Sequence, residues 1–348
     1  MLKEPKKKMP AEWENPVNIL ITYPGRNTDW DYILEEARNQ FDRMIESLLE
    51  GGEKVWLITD GEISPELREK ILKGEGRIFD NIPYNDTWTR DYGFITIEEN
   101  GNYRLLDFGF NGWGLKFAAD KDNLVNLELV KKGYVESDNY LNCRDFTLEG
   151  GSIESDGKGT ILTTASCLCS PNRNGGLTEE EAENVLKNRL GAQRVLWLHH
   201  GFLEGDDTDS HIDTLARIAP DDTILYVAPP KNSVDIHYAA LCEMEKELKT
   251  FRTRDGKPFR TIPLPFPDPI CDENGYRLPA TYANYLVTGN NLYLPVYNQP
   301  ENDKEALESV KKAFPNHKIY TLNCLTLIKQ HGSLHCSTMQ MYQNPSKQ

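Results

Sequence analysis

Cys336 lies in KQHGSLHCSTMQ (329–340), after a glycine turn, with His335 directly before it and His331 earlier. Polar, histidine-rich company is expected to lower a thiol pKa and keep the group accessible, and the thiolate is the form that attacks electrophiles. Cys143, Cys242, Cys271 and Cys324 read instead as small buried hydrophobes. The Cys167-x-Cys169 pair has no second pair to complete a metal site, so it is expected to line a strand. The most acidic stretch, EGDDTDSHID (204–213), flanks His211 with Asp209 and Asp213. In an extended segment these three side chains share one face, so the imidazole would lie between two carboxylates. Such a pair fixes the tautomer and raises the pKa toward that of a general acid and base. A solvated acidic loop explains Glu204 and Asp206, but explains less well an Asp-x-His-x-Asp that runs into the apolar stretch 214–219.

Two further segments supply carboxylates. NDTWTRDYGF (85–94) carries Asp86, Trp88, Arg90 and Asp91 just before a strand-like run. It reads either as a salt-bridged loop or as a carboxylate beside an aromatic wall, a receptor for a planar cation. In LEGGSIESDGKGT (148–160), Glu149 precedes two glycines, which permit close backbone approach to a ligand, while residues 155–159 read as a hairpin turn.

These residues need elements to hold them. VNILITYP (17–24), a helix over 29–50 and KVWLIT come first, followed by the helix SPELREKILKG with Ser64 as its N-cap. FITIEEN and YRLLDFGF read as strands around Glu-Asn-Gly-Asn (99–102). TILTTAS and RVLWLHH bracket a helix from Thr178, whose glutamates at 179–181 suit a helix N-terminus. TILYVA, a helix over 233–250 and RTIPLPF repeat the pattern, as do NLYLPVY, a helix over 302–314 and HKIYTLN. The strand, helix, strand unit recurs about four or five times at a spacing of roughly 50 to 70 residues. Tight polar turns favour mixed pairing inside each unit over one doubly wound parallel sheet. The expectation is an α/β chain forming a single domain over 1–348, a ring of small modules. Tyr-Pro-Gly-Arg (23–26) lacks the glycine pattern of a phosphate loop, so no nucleotide cofactor is expected.

Composition narrows the partners. The 348 residues carry 39 Lys plus Arg against 54 Asp plus Glu, a net charge of −15. That balance argues against nucleic acid and anionic membranes, and for a small cationic ligand. No apolar run approaches the roughly 18 residues of a membrane span. The N-terminal stretch lacks the apolar core of a secretory signal, and seven scattered cysteines fit reduced thiols. A cytoplasmic protein is expected, and a homodimer is left open.

MPAEWE (9–14), NDTWTRDYG, FNGWG (110–114), LEGGSIESDGKGTILTT, NRN (172–174), DDTDSHID, LPATYANYL and GSLHCSTMQ, in that order, resemble the agmatine deiminases. That group is classed with the Porphyromonas-type peptidyl-arginine deiminases among the guanidino-group-modifying enzymes. Many members carry GGNIHC before the nucleophile, where this chain has HGSLHC (331–336). The resemblance implies a fivefold pseudo-symmetric α/β propeller (pentein) of ββαβ-like modules around a central channel. It also implies hydrolysis of agmatine to N-carbamoylputrescine and ammonia, in putrescine and polyamine biosynthesis, with neither metal nor organic cofactor. Cys336 would be the nucleophile, His211 the acid and base, and Asp91, Asp213 and Glu149 the carboxylates, with Trp88 and Trp113 lining the pocket.

In that chemistry Asp91 and Asp213 would accept paired N–H bonds from the guanidinium and align its carbon for attack by the thiolate. His211 would protonate the departing nitrogen and then activate water against an S-alkylthiouronium. Glu149 could serve the imidazole or the guanidinium, and Asp207 is the candidate for the distal ammonium. A deiminase of free or peptidyl arginine is the nearest alternative, with Arg90, Arg173 or Arg217 available to meet an α-carboxylate. From other classes come a metal-dependent amidohydrolase with Asp209, His211 and Asp213 as ligands, and a polyamine-binding module without turnover.

Overall fold

Turn chemistry and helix caps set the local structure. Ile95–Glu99 pairs antiparallel with Asn102–Gly109 across Asn100 and Gly101, left-handed at φ 53° and 79°, the backbone that a two-residue hairpin turn requires. Ser64 accepts from the Leu67 amide to start the helix Pro65–Lys73. Thr178 and Glu181 cap each other reciprocally at the start of Glu179–Leu190. In Leu34–Glu50 the buried residues Ala37, Phe41, Met44, Ile45 and Leu48 recur at helical spacing and form one apolar face.

The computed structural model describes residues 7–14 and 18–342. Among them the strands gather into five separate sheets of three or four strands. Each sheet combines an antiparallel pair with a strand added in parallel. Ala216–Ala219 runs antiparallel to Thr223–Val227, which lies parallel to Arg260–Leu264 across the helix Tyr238–Leu248. Leu286–Thr288, Asn291–Val296 and Lys318–Asn323 repeat this around the helix Pro300–Ala313. Ile153–Ser155, Thr160–Thr164 and Arg194–Leu198 do so around Glu179–Leu190. In the sheet of Asn18–Thr22, Val55–Ile58 and Arg77–Phe79, the antiparallel neighbour is Met339–Met341, from the other end of the chain. The parallel crossovers need covering helices, and the strands they cover are mostly apolar: every residue of Asn18–Thr22, Val55–Ile58 and Thr223–Val227 is buried.

Several expected boundaries move. The helix expected over 233–250 spans only Tyr238–Leu248, because the Asp235 carboxylate takes His237 Nδ1 at 2.6 Å and Arg277 Nη1 at 2.7 Å and holds the preceding residues in a turn. The helix expected over 29–50 is a 3₁₀ turn, Asp31–Ile33, and then Leu34–Glu50, with Ile33 out of helical geometry at φ −135°. The helix expected from 302 starts at Pro300, where proline suits the first turn. Strand Tyr140–Thr147 was not foreseen. Cys143 and Cys324 are buried, but Cys242 is half-buried and Cys271 exposed. Cys167 follows its strand, in the turn Ala165–Leu168, rather than lining it. Among the described residues no helix is long and apolar enough to cross a membrane.

Candidate active site

The residue or turn just before the first strand of each antiparallel pair carries a polar group, and these groups touch in a closed circuit. The short helix Thr89–Tyr92 ahead of Ile95–Glu99 carries Asp91. The turn after Glu149, Gly150–Ser152, precedes Ile153–Ser155. His211 caps Ile212–Leu215, which holds Asp213 and leads into Ala216–Ala219. Asn284 precedes Leu286–Thr288, and Cys336 precedes Met339–Met341. Gly151 N donates to Asp91 Oδ1 at 3.0 Å, and His211 Nε2 lies 3.1 Å from Glu149 Oε2. Asn284 Nδ2 donates to Asp213 Oδ2 at 3.2 Å and to Cys336 Sγ at 3.3 Å. The Arg90 amide donates to the Cys336 carbonyl at 3.1 Å. A Cβ on Gly151 would meet His211 Nδ1 at 2.6 Å, Asp91 Oδ1 at 2.9 Å and Asp213 Oδ2 at 3.0 Å, so only glycine lets these three groups converge.

His211 is fully buried between Glu149 and Asp91, whose Oδ1 lies 3.6 Å from Nδ1. Burial disfavours an imidazolium, but the Asp91 carboxylate, the Cys167 sulfur and Glu149 outweigh it and hold the pKa well above the usual histidine value. Burial also pushes Glu149 up, yet the hydrogen bond with His211 and the charge of Arg173 prevail and keep it low. Arg173 Nε donates to both Glu149 oxygens, at 2.7 and 3.1 Å. Of the two partners expected for Glu149, the imidazole is the one its carboxylate contacts, together with Arg173.

Asp91 is raised to about 6, chiefly by burial, while accepting from Gly151 and, at 2.9 Å, from the Trp113 indole. Trp113 itself is left-handed at φ 55°, a rare conformation for a bulky residue, which turns the indole onto Asp91. Burial alone would also raise Asp213, but its hydrogen bond with His335 at 2.7 Å and the surrounding cations keep it below the usual carboxylate range. Two buried atoms of this cluster, His211 Nδ1 and Asp213 Oδ1, have no hydrogen-bond partner among the described residues. Unpaired buried polar atoms are costly; Asp213 Oδ1 is an acceptor that a ligand rich in N–H groups would satisfy, while Nδ1 of the protonated His211 is left with a proton to donate.

Cys336 lines a pocket of about 50 Å³ together with Asp91, Trp88, Trp113 and Asp207. Its thiol departs from expectation. Burial first, then the Asp213 and Asp91 carboxylates, push its pKa well above the usual thiol value. The histidine beside it in sequence does not act on the sulfur, because His335 points to Asp213 and Glu12. Asn284 Oδ1 accepts from the backbone amides of His335 and Cys336, at 3.0 and 3.3 Å, and fixes the turn that presents the thiol. Asn284 was missed as a site residue; its one sequence signal is a polar side chain inside LPATYANYL, ahead of a strand.

The pocket mouth is acidic, with Asp29, Asp86, Asp206 and Asp207. Asp86 is raised to about 7, first by burial. Asp207 is part-exposed, lies 3.7 Å from His331 Nδ1 and is also raised by burial. Trp88 is buried against Gly332, which leaves room for its ring. Asp209 is a correction. Asp209 and Ser210 are left-handed at φ 64° and 67°, so residues 209, 211 and 213 do not share a face. Asp209 instead pairs with Arg173 and Lys116, each at 2.6 Å. The ligand trio Asp209, His211 and Asp213 is therefore not assembled. The metal-compatible groups among the described residues are Glu149–Cys167–His211 and Glu12–Glu154–His335, and arginine already binds the carboxylates in both. Arg90, Arg173 and Arg217 are equally committed, to Glu12, Glu149 and Glu154, and none lines the pocket.

Comparison with known proteins gives this geometry relatives. A provisionally named agmatine deiminase of Legionella pneumophila is 31% identical over 336 residues, covering 95% of this chain and 94% of that protein. A solved structure from Porphyromonas gingivalis, provisionally named an arginine deiminase, is 42% identical, with a TM-score of 0.88 over 97% of this chain and 98% of its own. The agmatine deiminase of C. jejuni, solved with substrate bound and with a cysteine replaced by serine, is 36% identical, with a TM-score of 0.86 over 97% of each chain. The family profile described as Porphyromonas-type peptidyl-arginine deiminase matches residues 8–341, and the chain belongs to that family.

Proposed function

We propose that this protein hydrolyses agmatine to N-carbamoylputrescine and ammonia, a step toward putrescine, through a covalent intermediate on Cys336. The observation that carries the reading is the pocket's lining. Asp29, Asp86, Asp91, Asp206 and Asp207 line the pocket that Cys336 shares, with neither lysine nor arginine in the lining. A dication with a guanidinium at one end and an ammonium at the other matches that lining. An amino acid would bring an α-carboxylate to a mouth of carboxylates. The relatives named as agmatine deiminases support the same substrate. The closed circuit through five pre-strand segments supports a fivefold propeller in which the whole chain is one domain.

The guanidinium enters between Asp91 and Asp213, whose free Oδ1 accepts one of its N–H groups. Its positive charge offsets the two carboxylates that hold the thiol protonated, so the thiol proton leaves to solvent and the thiolate adds to the central carbon. His211, already an imidazolium, protonates one terminal nitrogen, the C–N bond breaks and ammonia departs. The neutral imidazole then takes a proton from water, and the resulting hydroxide adds to the S-alkylthiouronium carbon. The C–S bond breaks and the hydroxyl proton passes to the departing sulfur, returning the thiol and the neutral ureido product. Glu149, held by Arg173, keeps Nε2 of the ring fixed throughout.

The test compares initial rates of carbamoylputrescine release from agmatine and citrulline release from arginine, with the same enzyme. Agmatine should be preferred by at least about 100-fold in kcat/KM, an unpaired buried charge being worth several kcal/mol. Preference for arginine would overturn the assignment. Asp207→Asn should raise KM for agmatine about fivefold and leave kcat nearly unchanged, because a part-exposed carboxylate contributes about 1 kcal/mol of uniform binding. An unchanged KM would remove Asp207 from the ammonium's surroundings.

A further inference from the structure

Two adjacent side chains at the pocket mouth, Gln330 and His331, line it without a part in the mechanism above. Each is tied to an acidic segment. Gln330 Nε2 donates to the carbonyl of Asp29 at 2.7 Å. His331 Nδ1 lies 2.7 Å from the carbonyl of Gly205, next to Asp206 and Asp207 in the chain. His331 is left-handed at φ 65°, a backbone that glycine adopts freely and a residue with a side chain adopts at some cost. The side chain retained at that cost is 42% exposed, yet held by a short bond.

That bond fixes the tautomer. A carbonyl only accepts, so Nδ1 carries the proton, and in a neutral imidazole Nε2 is then left as an acceptor. Asp207 does not compete for the Nδ1 proton, because its Oδ2 is 3.7 Å away, beyond hydrogen-bonding distance. Nε2 has no hydrogen-bond partner among the described residues. We propose that His331 is a specificity-determining residue whose Nε2 accepts a hydrogen bond from the distal ammonium of agmatine. The inference rests on the agmatine reading and deepens it. A carboxylate such as Asp207 attracts any cation, whereas a fixed neutral acceptor selects an arm that ends in an N–H donor. The ammonium has three donors, so Asp207 and His331 can share it with water.

His331→Asn removes Nε2 and keeps the tie, since its side-chain amide can donate to the Gly205 carbonyl in place of Nδ1, and asparagine tolerates a left-handed backbone. 1-Butylguanidine has the guanidinium and carbon chain of agmatine but no ammonium. The ratio of kcat/KM for agmatine to that for 1-butylguanidine therefore cancels any effect of a variant on folding or on the chemical step. In His331→Asn this ratio should fall at least about fivefold, less than for a buried charged hydrogen bond because the mouth is part-exposed, while kcat/KM for 1-butylguanidine stays within about twofold of native. His331→Gly, well suited to φ 65°, should lower the ratio as far. An unchanged ratio in His331→Asn overturns the proposal, as does a His331→Gly that impairs both substrates equally, for the ring would then only tie the mouth together.

A binding readout needs no turnover. In Cys336→Ala protein labelled with ¹⁵N-histidine, the His331 signals are assigned by their loss on adding His331→Gly. At the assay pH, Nδ1 should be protonated and Nε2 bare; agmatine should shift the Nε2 resonance and 1-butylguanidine should leave it in place. A ring protonated on both nitrogens or on Nε2 alone overturns the proposal, as does an equal response to the two ligands. If the native protein releases no ammonia from agmatine, the proposed function fails, and this titration alone decides the role of His331: a shift specific to agmatine supports it and no shift overturns it.

Discussion

Cys336→Ala should abolish release of ammonia from agmatine, a loss of more than about 10⁴-fold in kcat, because no second cysteine among the described residues lines the pocket. The buried thiols of Cys167, 3.7 Å from the Glu149 carboxylate, and Cys324 do not line the pocket. The fold should survive. The sulfur's polar neighbours include the Asn284 amide, the Ser333 backbone and, at 3.9 Å, an Asp213 oxygen, and Asn284 and Asp213 keep other partners when it is removed. A change in stability of no more than about 1 kcal/mol is expected, with Tm by circular dichroism as the check. Agmatine should still bind, since Asp91 and Asp213 are untouched. In the native enzyme, a reaction quenched with acid should carry its adduct on the Cys336 peptide by mass spectrometry. Turnover by Cys336→Ala within about 100-fold of native would sink the covalent mechanism.

That the thiol rests protonated gives the prediction its mechanistic weight. Burial and two carboxylates hold the pKa of Cys336 up, so the resting enzyme should react slowly with iodoacetamide near neutral pH. In the proposed mechanism the cation that offsets those carboxylates is the substrate itself, which would couple nucleophile activation to binding of the correct ligand.

The sequence pointed to a lowered thiol pKa, and the reason it misled is instructive. Neighbours along the chain are not neighbours around the sulfur: His335 adjoins Cys336 but faces Asp213 and Glu12. The same distinction explains Asp209. Alternate residues share a face only in an extended segment, and Asp209 and Ser210 are left-handed. The carboxylates that do flank His211 come from Glu149 and Asp91, distant in sequence. Asp213 and His211 were legible because an acidic segment running into an apolar one marks a polar turn driven into the interior. Arg173 and Asn284 act on residues far along the chain, to which no local pattern points. The hairpins at 99–102 and 155–159 and the caps at Ser64 and Thr178 were legible because turns and caps are local chemistry. The pairing of Met339–Met341 with Asn18–Thr22 joins opposite ends of the chain and leaves no short-range trace.

His211→Gln is expected to lower kcat/KM for agmatine by about 10² to 10⁴-fold, the usual loss for a general acid and base. Glutamine can occupy the space and bond to Glu149, but it cannot deliver a proton to the leaving nitrogen or take one from water. The pH profile carries the sharper test. In the proposed mechanism Asp91, raised to about 6, must be a carboxylate to hold the guanidinium. Activity should therefore fall on the acid side as pH drops through about 6. The His211 imidazolium, held well above the usual value with burial outweighed by Asp91, Cys167 and Glu149, should survive through neutral pH and place the alkaline limb well above about pH 6.5. Removing that cation takes away a charge that lowers the Asp91 pKa. The Asp91 carboxyl should then climb further, and the acid limb of the residual activity should shift to higher pH. An acid limb that stays in place would mean that His211 and Asp91 do not sense each other's charge, and the pairing at 3.6 Å would have no part in tuning the site.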